Sequence, residues 1–432
     1  MTSKNQYKEA YVWIWLPNET EPVVAGLLTE IGNQLVFNYG RSYLNRENAI
    51  AIYDPELPLK PGEISLLPGL SMPSCIRDAS PDAWGRRVLM NRKLGLKGQD
   101  ASKQDLSELT YLLESGSDRT GALDFQLSPT KYIPRVADHT SLSELMQAAE
   151  YVEKGIPLQP PLGNALQHGT SLGGARPKAL ITADHKKYIA KFSTSSDIYN
   201  VVKAEFVAMK FARLVGLDTA TVKLESVLGK DVLLIERFDR QKAHKSWRRK
   251  AMLSALTLFA LDEMMAMYAS YQDLADIIRH RFTDPNETLR ELFGRIVFNI
   301  LCGNTDDHAR NHAAFWDGRN LTLTPAYDVC PQPRTGNEAS QAMLIHDDNR
   351  MSQLSVCLEA ATHFLLDQET AKMIIKHQVD TIRLNWTRIC DEAALTAAER
   401  QFLWHRQFLN PFAFYGAPPG IRNDETTAEK GR

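Results

Sequence analysis

The sequence lacks paired cysteines, a long hydrophobic run and an excess of one charge. Its five cysteines are scattered without CxxC spacing, which is typical of reduced thiols rather than of a disulfide framework. The net charge of −2 argues against a nucleic-acid surface covering the whole protein. The apolar run at residues 10–16 has the length of a strand, not of a membrane span. Because the first residues are too polar for a signal peptide, we expect a cytoplasmic protein.

The composition is that of a globular protein, with 44% hydrophobic and 24% charged residues in a chain of 432. This length allows two or three domains of ordinary size. A stretch rich in proline and glycine at residues 155–163 predicts a linker. We therefore predict a subdomain at 1–154, a second region at 155–250, a helical lobe at 251–414 and a flexible tail at 415–432.

Periodic patterns predict the local structure before the linker. Residues 9–53 alternate apolar and polar groups between turn signals, as strands of an antiparallel sheet do. Helices are predicted at 82–93, 102–114 and 141–153. In the last of these, Ser141 and Glu144 have the spacing of a capping box.

After the linker, the pattern predicts strands first and helices later. Residues 179–182 and 187–192 predict a hairpin, and 198–216 a long helix that ends at Gly216. Two further strands are predicted at 220–228 and 232–235. From about residue 251 onward we expect mostly helix, and residues 289–302 predict a helix leading into a loop region at 303–340.

Residues 304–311, Asn-Thr-Asp-Asp-His-Ala-Arg-Asn, are the most informative segment. Asp306 and Asn311 are five positions apart, which is the spacing of the protein-kinase catalytic loop. There the aspartate accepts the substrate hydroxyl proton and the asparagine binds Mg²⁺. Asp328, in Pro-Ala-Tyr-Asp, follows where a second Mg²⁺-binding acid is expected.

The region at 155–250, which precedes this loop in the chain, is predicted to bind the nucleotide. Gly173 and Gly174 let backbone N–H groups approach phosphates closely, although a glycine pair also occurs in ordinary turns. Lys191 on a strand and Glu205 on a helix match the kinase lysine–glutamate pair, or else are a solvated strand end and an exposed helix charge. Residues 233–239 predict a strand that serves as the adenine-binding hinge.

Together these residues resemble the HipA-type serine/threonine kinases of bacterial toxin–antitoxin modules. The resemblance is carried by Ser-Leu-Gly-Gly-Ala-Arg-Pro-Lys (171–178), Ile-Glu-Arg-Phe-Asp-Arg (235–240), Gly-Asn-Thr-Asp-Asp-His-Ala-Arg-Asn-His (303–312) and Pro-Ala-Tyr-Asp (325–328). Supporting pieces are Val-Ala-Gly-Leu-Leu (24–28), Tyr-Gly-Arg-Ser-Tyr-Leu (39–44) and Ser-Pro-Asp-Ala-Trp-Gly-Arg (80–86). The similarity covers roughly residues 10–410.

The resemblance implies an α+β, two-lobed kinase-like fold with an additional N-terminal β-rich subdomain and a mostly helical C-terminal lobe. It implies ATP and Mg²⁺ as cofactors. It also implies a helix-turn-helix antitoxin, HipB, as the partner, operator DNA bound through that complex, and an aminoacyl-tRNA synthetase as the best-known target class.

The same resemblance assigns roles to single residues. It makes Asp306 the catalytic base and assigns Mg²⁺ to Asn311 and Asp328. It also assigns Lys191 to the ATP phosphates, Glu236 and Phe238 to the adenine hinge, and autophosphorylation to Ser171. The residue pattern itself adds Gly173, Gly174 and Glu205 to the nucleotide site, and we expect His308 to order the catalytic loop by a hydrogen bond. Arg310 and Arg176-Pro177 depart from the family pattern, which leaves substrate choice open.

Other interpretations stay open at this point. His308 and His312 are four apart and could bind Zn²⁺ if the segment were helical, with Asp306 or Asp328 completing a metallohydrolase site. The basic stretch at 242–250 could contact phosphates or an acidic protein, or be a solvated loop. For the whole chain, the alternatives to a kinase toxin are a small-molecule phosphotransferase and a corepressor without turnover.

Overall fold

The computed structural model describes residues 7–94, 106–136, 140–167 and 169–421. The chain divides into two compact units. The first is formed by Met1–Ser196, Glu225–Asp262 and Ala314–Asn320, and the second by Asp197–Leu224, Glu263–Ala313 and Leu321–Arg432. The predicted borders at residues 154, 250 and 414 stay predictions.

The strands and helices of the described residues are numbered in chain order. The strands are β1 Glu9–Ile14, β2 Val23–Ile31, β3 Gln34–Tyr39, β4 Glu63–Ile64, β5 Leu123–Gln126, β6 Lys178–Ala183, β7 Lys186–Phe192, β8 Val222–Val227, β9 Lys230–Glu236, β10 Arg240–Ala243, β11 Ser246–Arg249, β12 Ala251–Ser254, β13 Ala313–Trp316 and β14 Leu321–Leu323. The α-helices are α1 Arg41–Leu44, α2 Ser74–Arg77, α3 Ala83–Leu94, α4 Glu108–Glu114, α5 Leu142–Glu153, α6 Pro160–Gln167, α7 Val201–Leu214, α8 Ala255–Leu258, α9 Tyr271–Arg281, α10 Pro285–Cys302, α11 Leu354–Ala360, α12 Gln368–Glu392 and α13 Ala397–Leu403.

An antiparallel sheet opens the first unit, in the order β4-β3-β2-β1-β5. The alternation seen in the sequence gives each strand one buried face, as at Val12 and Ile14 of β1. Gly32 joins β2 to β3 with a φ of +64°, a conformation that favours glycine. The predicted antiparallel strands are therefore confirmed over residues 9–39, whereas residues 41–44 form the helix α1 instead of a strand.

A second core of the first unit forms where helices cover the β6–β7–β9 strands. Trp84 and Val88 of α3, together with residues of α5 and α6, pack with Ala190 and Leu234. Helix α5 begins with the predicted capping box, in which Ser141 Oγ accepts from Glu144 N at 3.3 Å. Because helices cover one face of these strands, the loop between α6 and β6 is held at the edge of a packed core.

Three predictions about local structure need correction. Residues 155–163 are not a linker throughout, because α6 begins at Pro160 and its Ala165 and Leu166 enter the core. The stretch 242–250 is not a plain loop but contains the β10–β11 hairpin, in which Lys242 lies 4.8 Å from the Trp247 ring. The predicted helix at 102–114 is observed only over α4, and residues 102–105 lie outside the described residues.

The second unit is mostly helical, as predicted. Its central helix, α10, is buried along most of its length and delivers the chain into the 303–340 region. None of the helices in the described ranges combines the length and apolarity needed to cross a membrane. Of the predicted tail, Ala417 and Ile421 are buried, while residues 422–432 lie outside the described residues.

Candidate active site

The acid–amide loop starts from a fixed helix end. After α10, Gly303 adopts a left-handed conformation with φ of +74°, and an added Cβ would lie 2.8 Å from the Gln407 carbonyl oxygen. Only glycine satisfies both conditions. Asn304 then donates from its backbone N–H to Asn299 O at 2.8 Å and from Nδ2 to Asn299 Oδ1 at 3.0 Å. The loop therefore leaves the helix in one defined direction.

Asp306 and Asn311 are brought together by a hydrogen bond across the loop. Asn311 Nδ2 donates to the Asp306 carbonyl oxygen at 3.2 Å, and Asn311 N donates to His308 O at 2.8 Å. A single 3-10 turn at Ala309–Asn311 makes this closure possible. The Asp306 carboxyl is left exposed, whereas Asn311 is buried. Its amide nitrogen is used within the loop, so the amide oxygen is the atom that could meet a cation.

Asp307 anchors the loop through its buried side chain, a role that was not predicted from the sequence. The side chain is 3% exposed and accepts from the Tyr271 hydroxyl and from His312 Nε2, the latter at 2.8 Å. Burial alone would raise the pKa of Asp307, but the charge of His312 and these two hydrogen bonds hold it below its usual value. The signal for this anchor in the sequence was the pair of consecutive aspartates, of which the fold buries the second.

His308 does not make the ordering hydrogen bond assigned to it. Its Nδ1 is buried and has no hydrogen-bond partner among the described residues, and His312 supports the loop instead. The backbone at both histidines is extended, on either side of the 3-10 turn. The α-helical geometry that the zinc alternative requires is therefore not formed, and the described residues contain no cluster of three or more His, Cys, Asp or Glu arranged for a metal.

Asp328 lies beside this loop with its backbone in the left-handed region, at φ of +59°. The preceding Tyr327 donates from its hydroxyl to the Arg310 carbonyl oxygen at 2.7 Å, which ties the two segments together. Partial burial raises the pKa of Asp306; the charges of Asp328 and Asp307 add to this effect, and His308 opposes it. The two predicted acids thus share one electrostatic environment.

Candidate metal ligands at this site are the Asp328 carboxylate and the Asn311 amide oxygen. Both are hard oxygen ligands of the kind that Mg²⁺ takes from proteins, usually one or two at a time. Asp328 and the Asn311 amide oxygen therefore fit a magnesium ion better than a transition metal.

The glycine loop belongs to the first unit, between α6 and β6. Thr170, Ser171 and Leu172 are buried. Gly174 has φ of +94°, and the Lys178 ammonium donates to the Gly173 carbonyl oxygen. The Ser171 hydroxyl has no hydrogen-bond partner in the described structure.

The start of α3 holds this glycine loop in place. Gly174 N donates to Asp82 Oδ2 at 2.7 Å, and Trp84 N donates to Gly174 O at 3.3 Å. Trp84 Nε1 also donates to Lys178 O at 3.0 Å. At Gly85 an added Cβ would lie 1.9 Å from the Thr170 carbonyl oxygen. We call Asp82, Trp84 and Gly85 the α3 clamp, since each of them fixes a different backbone group of the loop.

Lys191 and Glu205 are both buried, in different units. Lys191 on β7 faces Lys178 and Leu233 in register and is 8% exposed. Glu205 on α7 is 2% exposed. The alternatives of a solvated strand end and an exposed helix charge are therefore wrong. Pairing of the two side chains stays a prediction.

The predicted hinge segment alternates between two surroundings. Glu236, at the end of β9, forms an ion pair with Lys186 at 2.7 Å, and the Phe238 ring lies edge-on to Phe315 at 5.9 Å. Between and after them, Arg237 and Asp239 turn into the interior. Because the Glu236 side chain is engaged by a lysine, the backbone of this segment is the better candidate for adenine contacts.

The interior side of the hinge is a buried ionic cluster of Asp118, Arg237, Asp239 and Arg240. Arg237 donates to Asp239 Oδ2 at 2.8 Å and to Asp118 Oδ1 at 3.1 Å, and Arg240 donates to Asp118 Oδ1 at 2.9 Å. Burial alone would raise the pKa of both acids, but the two guanidinium groups hold it below its usual range. Arg237 was predicted to lie in the hinge segment, but the burial of Arg237 and Arg240 was not predicted.

Sequence comparison identifies the family. The pattern of the HipA-like C-terminal domain matches residues 170–386, half of the chain, and that of the HipA N-terminal domain matches residues 15–126. The chain belongs to the HipA family. The acid–amide loop and the glycine loop lie within the C-terminal match, and the α3 clamp lies within the N-terminal match.

The individual relatives are distant from this chain in sequence. The Y4mE protein of Sinorhizobium fredii is 24% identical over 330 residues, 68% of this chain and 71% of that protein. The serine/threonine-protein kinase toxin HipA of Shewanella oneidensis is 24% identical over 183 residues, 37% of this chain and 42% of the toxin. The match to that toxin thus covers less than half of its length.

A solved structure supports the fold. The toxin–antitoxin complex of Shewanella oneidensis HipA with HipB and operator DNA contains a chain that matches with a TM-score of 0.65. The match covers 92% of this chain and 95% of that chain at 16% identity. The predicted α+β HipA kinase fold, with an N-terminal sheet and a helical C-terminal part, is therefore confirmed.

Proposed function

We propose that this HipA-family protein is an ATP-dependent serine/threonine protein kinase that acts as the toxin of a type II toxin–antitoxin module. The observation that carries the proposal is the closed acid–amide loop: Asn311 bonds across it to the Asp306 backbone, and Asp328 lies in the same electrostatic environment. Phosphoryl transfer depends mainly on positioning and charge stabilisation, which this arrangement is suited to provide.

Asp306 is the proposed base. Its exposed carboxyl can accept the proton of a substrate hydroxyl, and a raised pKa strengthens it as a proton acceptor. Asp307, Tyr271 and His312 keep the backbone in place during this step. Asn311 and Asp328 would hold Mg²⁺. When bound, the metal would neutralise phosphate charge.

The first unit supplies the proposed nucleotide-binding groups. Gly173 and Gly174 would present backbone N–H groups to phosphates, and the buried Lys191 would contact the phosphates directly. The Glu236–Phe238 segment would provide the hinge. Glu205 and His308, which belong to the second unit, are proposed as further residues of the nucleotide site.

Ser171 is the proposed autophosphorylation site. Its hydroxyl is 2% exposed and makes no hydrogen bond within the described residues, so no partner would be lost by modification. A phosphoryl group adds about −1.5 to −2 charges, which cannot stay in a buried position. Phosphorylation would therefore drive the glycine loop out of the α3 clamp and switch off ATP binding.

We infer the biological setting from the family. The partner would be a HipB-like helix-turn-helix antitoxin, with operator DNA bound through that complex, as in the Shewanella oneidensis assembly. The substrate would be a translation factor such as an aminoacyl-tRNA synthetase. These events would take place in the cytoplasm.

The test is incubation of the purified chain with γ-³²P-ATP, Mg²⁺ and cell lysate. We expect label on a protein band and, by mass spectrometry, on Ser171. Asp306→Asn should lower both by about 10²–10⁴-fold, because an amide cannot accept the proton. Its fold should persist, since Asn311 bonds to the backbone carbonyl, which the substitution retains. Label only on a metabolite would favour the small-molecule phosphotransferase. Undiminished transfer by Asp306→Asn would refute the assignment.

A further inference from the structure

The second unit exposes an unusual run of methionines. The 3-10 segment Glu263–Tyr268 has no buried side chain, and Met264 is 83%, Met265 46% and Met267 59% exposed. Tyr268 adds a 57% exposed aromatic ring. Large apolar side chains that are contiguous on a surface mark interaction sites, and flexible thioethers suit partners of variable shape. We call residues 263–268 the methionine strip.

The methionine strip is fixed to the acid–amide loop. The Arg310 guanidinium, immediately before Asn311, forms an ion pair with Glu263 at the start of the strip. At the other end, Arg350 Nη2 donates to the Met267 carbonyl oxygen at 2.8 Å. The strip is therefore held at both ends. At one end the contact is made by the segment that carries the proposed catalytic groups.

An acidic pocket continues the surface from Arg350. This open pocket of about 510 Å³ is lined by Asp347, Asp348 and Glu359, among other residues, and Arg350 lines it as well. All three acids are exposed, and the Asp347 side chain is 79% accessible. The Arg350 guanidinium is bound to two backbone carbonyls, of Ala342 and Met267, so it fixes the pocket to the strip.

The charges of this composite surface favour a basic partner. The surface carries four carboxylates (Glu263, Asp347, Asp348 and Glu359) and two guanidinium groups (Arg310 and Arg350), and His346 Nε2 lies 3.7 Å from Asp347. Carboxylates therefore outnumber the guanidinium groups beside the methionines. Such a surface repels nucleic-acid phosphates and anionic lipid. It complements a polypeptide segment in which arginines or lysines alternate with apolar residues.

We propose that the methionine strip and the acidic pocket form the docking site for a basic, apolar segment of the protein substrate, which places the neighbouring serine or threonine at Asp306. This inference rests on the proposed kinase function and deepens it by assigning the substrate-recognition chemistry. The ion pair between Arg310 and Glu263 is the structural link between docking and transfer.

Binding tests the site without depending on catalysis. The probe is a fluorescein-labelled peptide in which leucines alternate with arginines around one serine, measured by fluorescence anisotropy with the full chain. Matched peptides carry glutamate for arginine or serine for leucine. We expect the basic, apolar peptide to bind at least about tenfold more tightly than either, because both charge and apolar contact are needed.

Two sets of variants locate the binding. Met264→Gln/Met265→Gln/Met267→Gln should weaken the basic peptide by about tenfold, and Asp347→Asn/Asp348→Asn should weaken it several-fold and reduce its salt dependence. Met373→Gln on α12 changes a methionine that is 62% exposed and serves as the matched control. Equal affinity of the triple variant and the wild type, or a wild type that prefers the acidic peptide, would overturn the proposal.

Kinetics and assembly separate the remaining possibilities. With the same peptide and γ-³²P-ATP, the triple variant should raise the peptide KM by about tenfold and leave the ATP KM unchanged. If the wild type binds the peptide at the strip but transfers phosphate neither to the peptide nor to a protein of the cell lysate, the kinase proposal fails while the docking surface stands. If sedimentation shows a wild-type dimer that the triple variant abolishes, a second copy covers the strip and the docking proposal is wrong.

Discussion

Replacing Gly85 by alanine would have two opposing effects. It would favour helix α3, and it would displace the glycine loop. Gly85 lies in the first turn of α3, where alanine has the higher intrinsic helix propensity, by up to about 1 kcal/mol. The new methyl group, however, would stand 1.9 Å from the Thr170 carbonyl oxygen and 2.8 Å from its carbonyl carbon. Because both of these atoms belong to backbone, no side chain can rotate away to relieve the contact.

The size of the displacement follows from the contact distance. Real Cβ contacts essentially never fall below 3.0 Å, so the loop or the helix must move by about 1 Å from the present 1.9 Å. Misplacement of this size in a reacting complex can cost about 10²-fold in rate. Overpacking of a core contact typically costs about 1–3 kcal/mol of folding free energy, which exceeds the gain in helix propensity. We therefore expect a lower stability together with a larger loss of nucleotide use.

The assay measures the free energy of unfolding by urea titration and the kcat/KM for ATP. We expect Gly85→Ala to lose about 1–2 kcal/mol of stability and about 10²-fold in kcat/KM for ATP. Gly163→Ala is the matched control, because among the described residues the nearest atom to an added methyl on this α6 glycine is Leu158 Cβ, at 3.7 Å. It should gain stability and keep its kinetics.

One result would refute the reasoning directly. If Gly85→Ala were as stable and as active as Gly163→Ala, then the close approach of Thr170 would not constrain the glycine loop. A loss of stability with an unchanged kcat/KM for ATP would instead show that the α3 clamp supports the fold but not nucleotide binding.

Three further outcomes are expected. Tyr271→Phe removes a hydrogen bond to the buried Asp307 and should cost about 1–3 kcal/mol in urea unfolding, with kcat lowered and the ATP KM unchanged. Arg237→Gln leaves the buried carboxylates of Asp118 and Asp239 short of positive charge and should cost about 3–5 kcal/mol by the same measurement. Because the pKa of both acids is lowered in the folded state, their contribution is complete above the unfolded value of about 3.9 and is lost as the pH falls below it; a urea midpoint that stays constant from pH 7 to pH 3 would contradict this.

Local features could be predicted from the sequence because their causes are local. The capping box of α5 joins residues three apart, and the β6–β7 hairpin follows from adjacent apolar runs. The short spacing of Asp306 and Asn311 also placed them in one loop, because a hydrogen bond joins these two residues, which are five positions apart. At these places the pattern of neighbouring residues determines the geometry.

Long-range contacts could not be predicted in the same way. The bond from Gly174 to Asp82 spans 92 residues, that from Tyr271 to Asp307 spans 36, and that from Arg237 to Asp118 spans 119. No periodicity marks such pairs, and charged residues in the sequence are ordinarily expected at the surface. The α3 clamp, the loop anchor and the ionic cluster therefore became visible only once the chain was folded.

The buried ionic cluster joins residues of the two family domains. Asp118 lies in the HipA N-terminal domain match, whereas Arg237 and Arg240 lie in the C-terminal one. A fragment that contains only the C-terminal match would lose Asp118, which is one of the two carboxylates that neutralise Arg237 and Arg240. Any recombination that exchanges one domain for that of a distant relative must therefore carry a compatible acid at this position. Separating the chain between the two matches would therefore divide this ionic cluster.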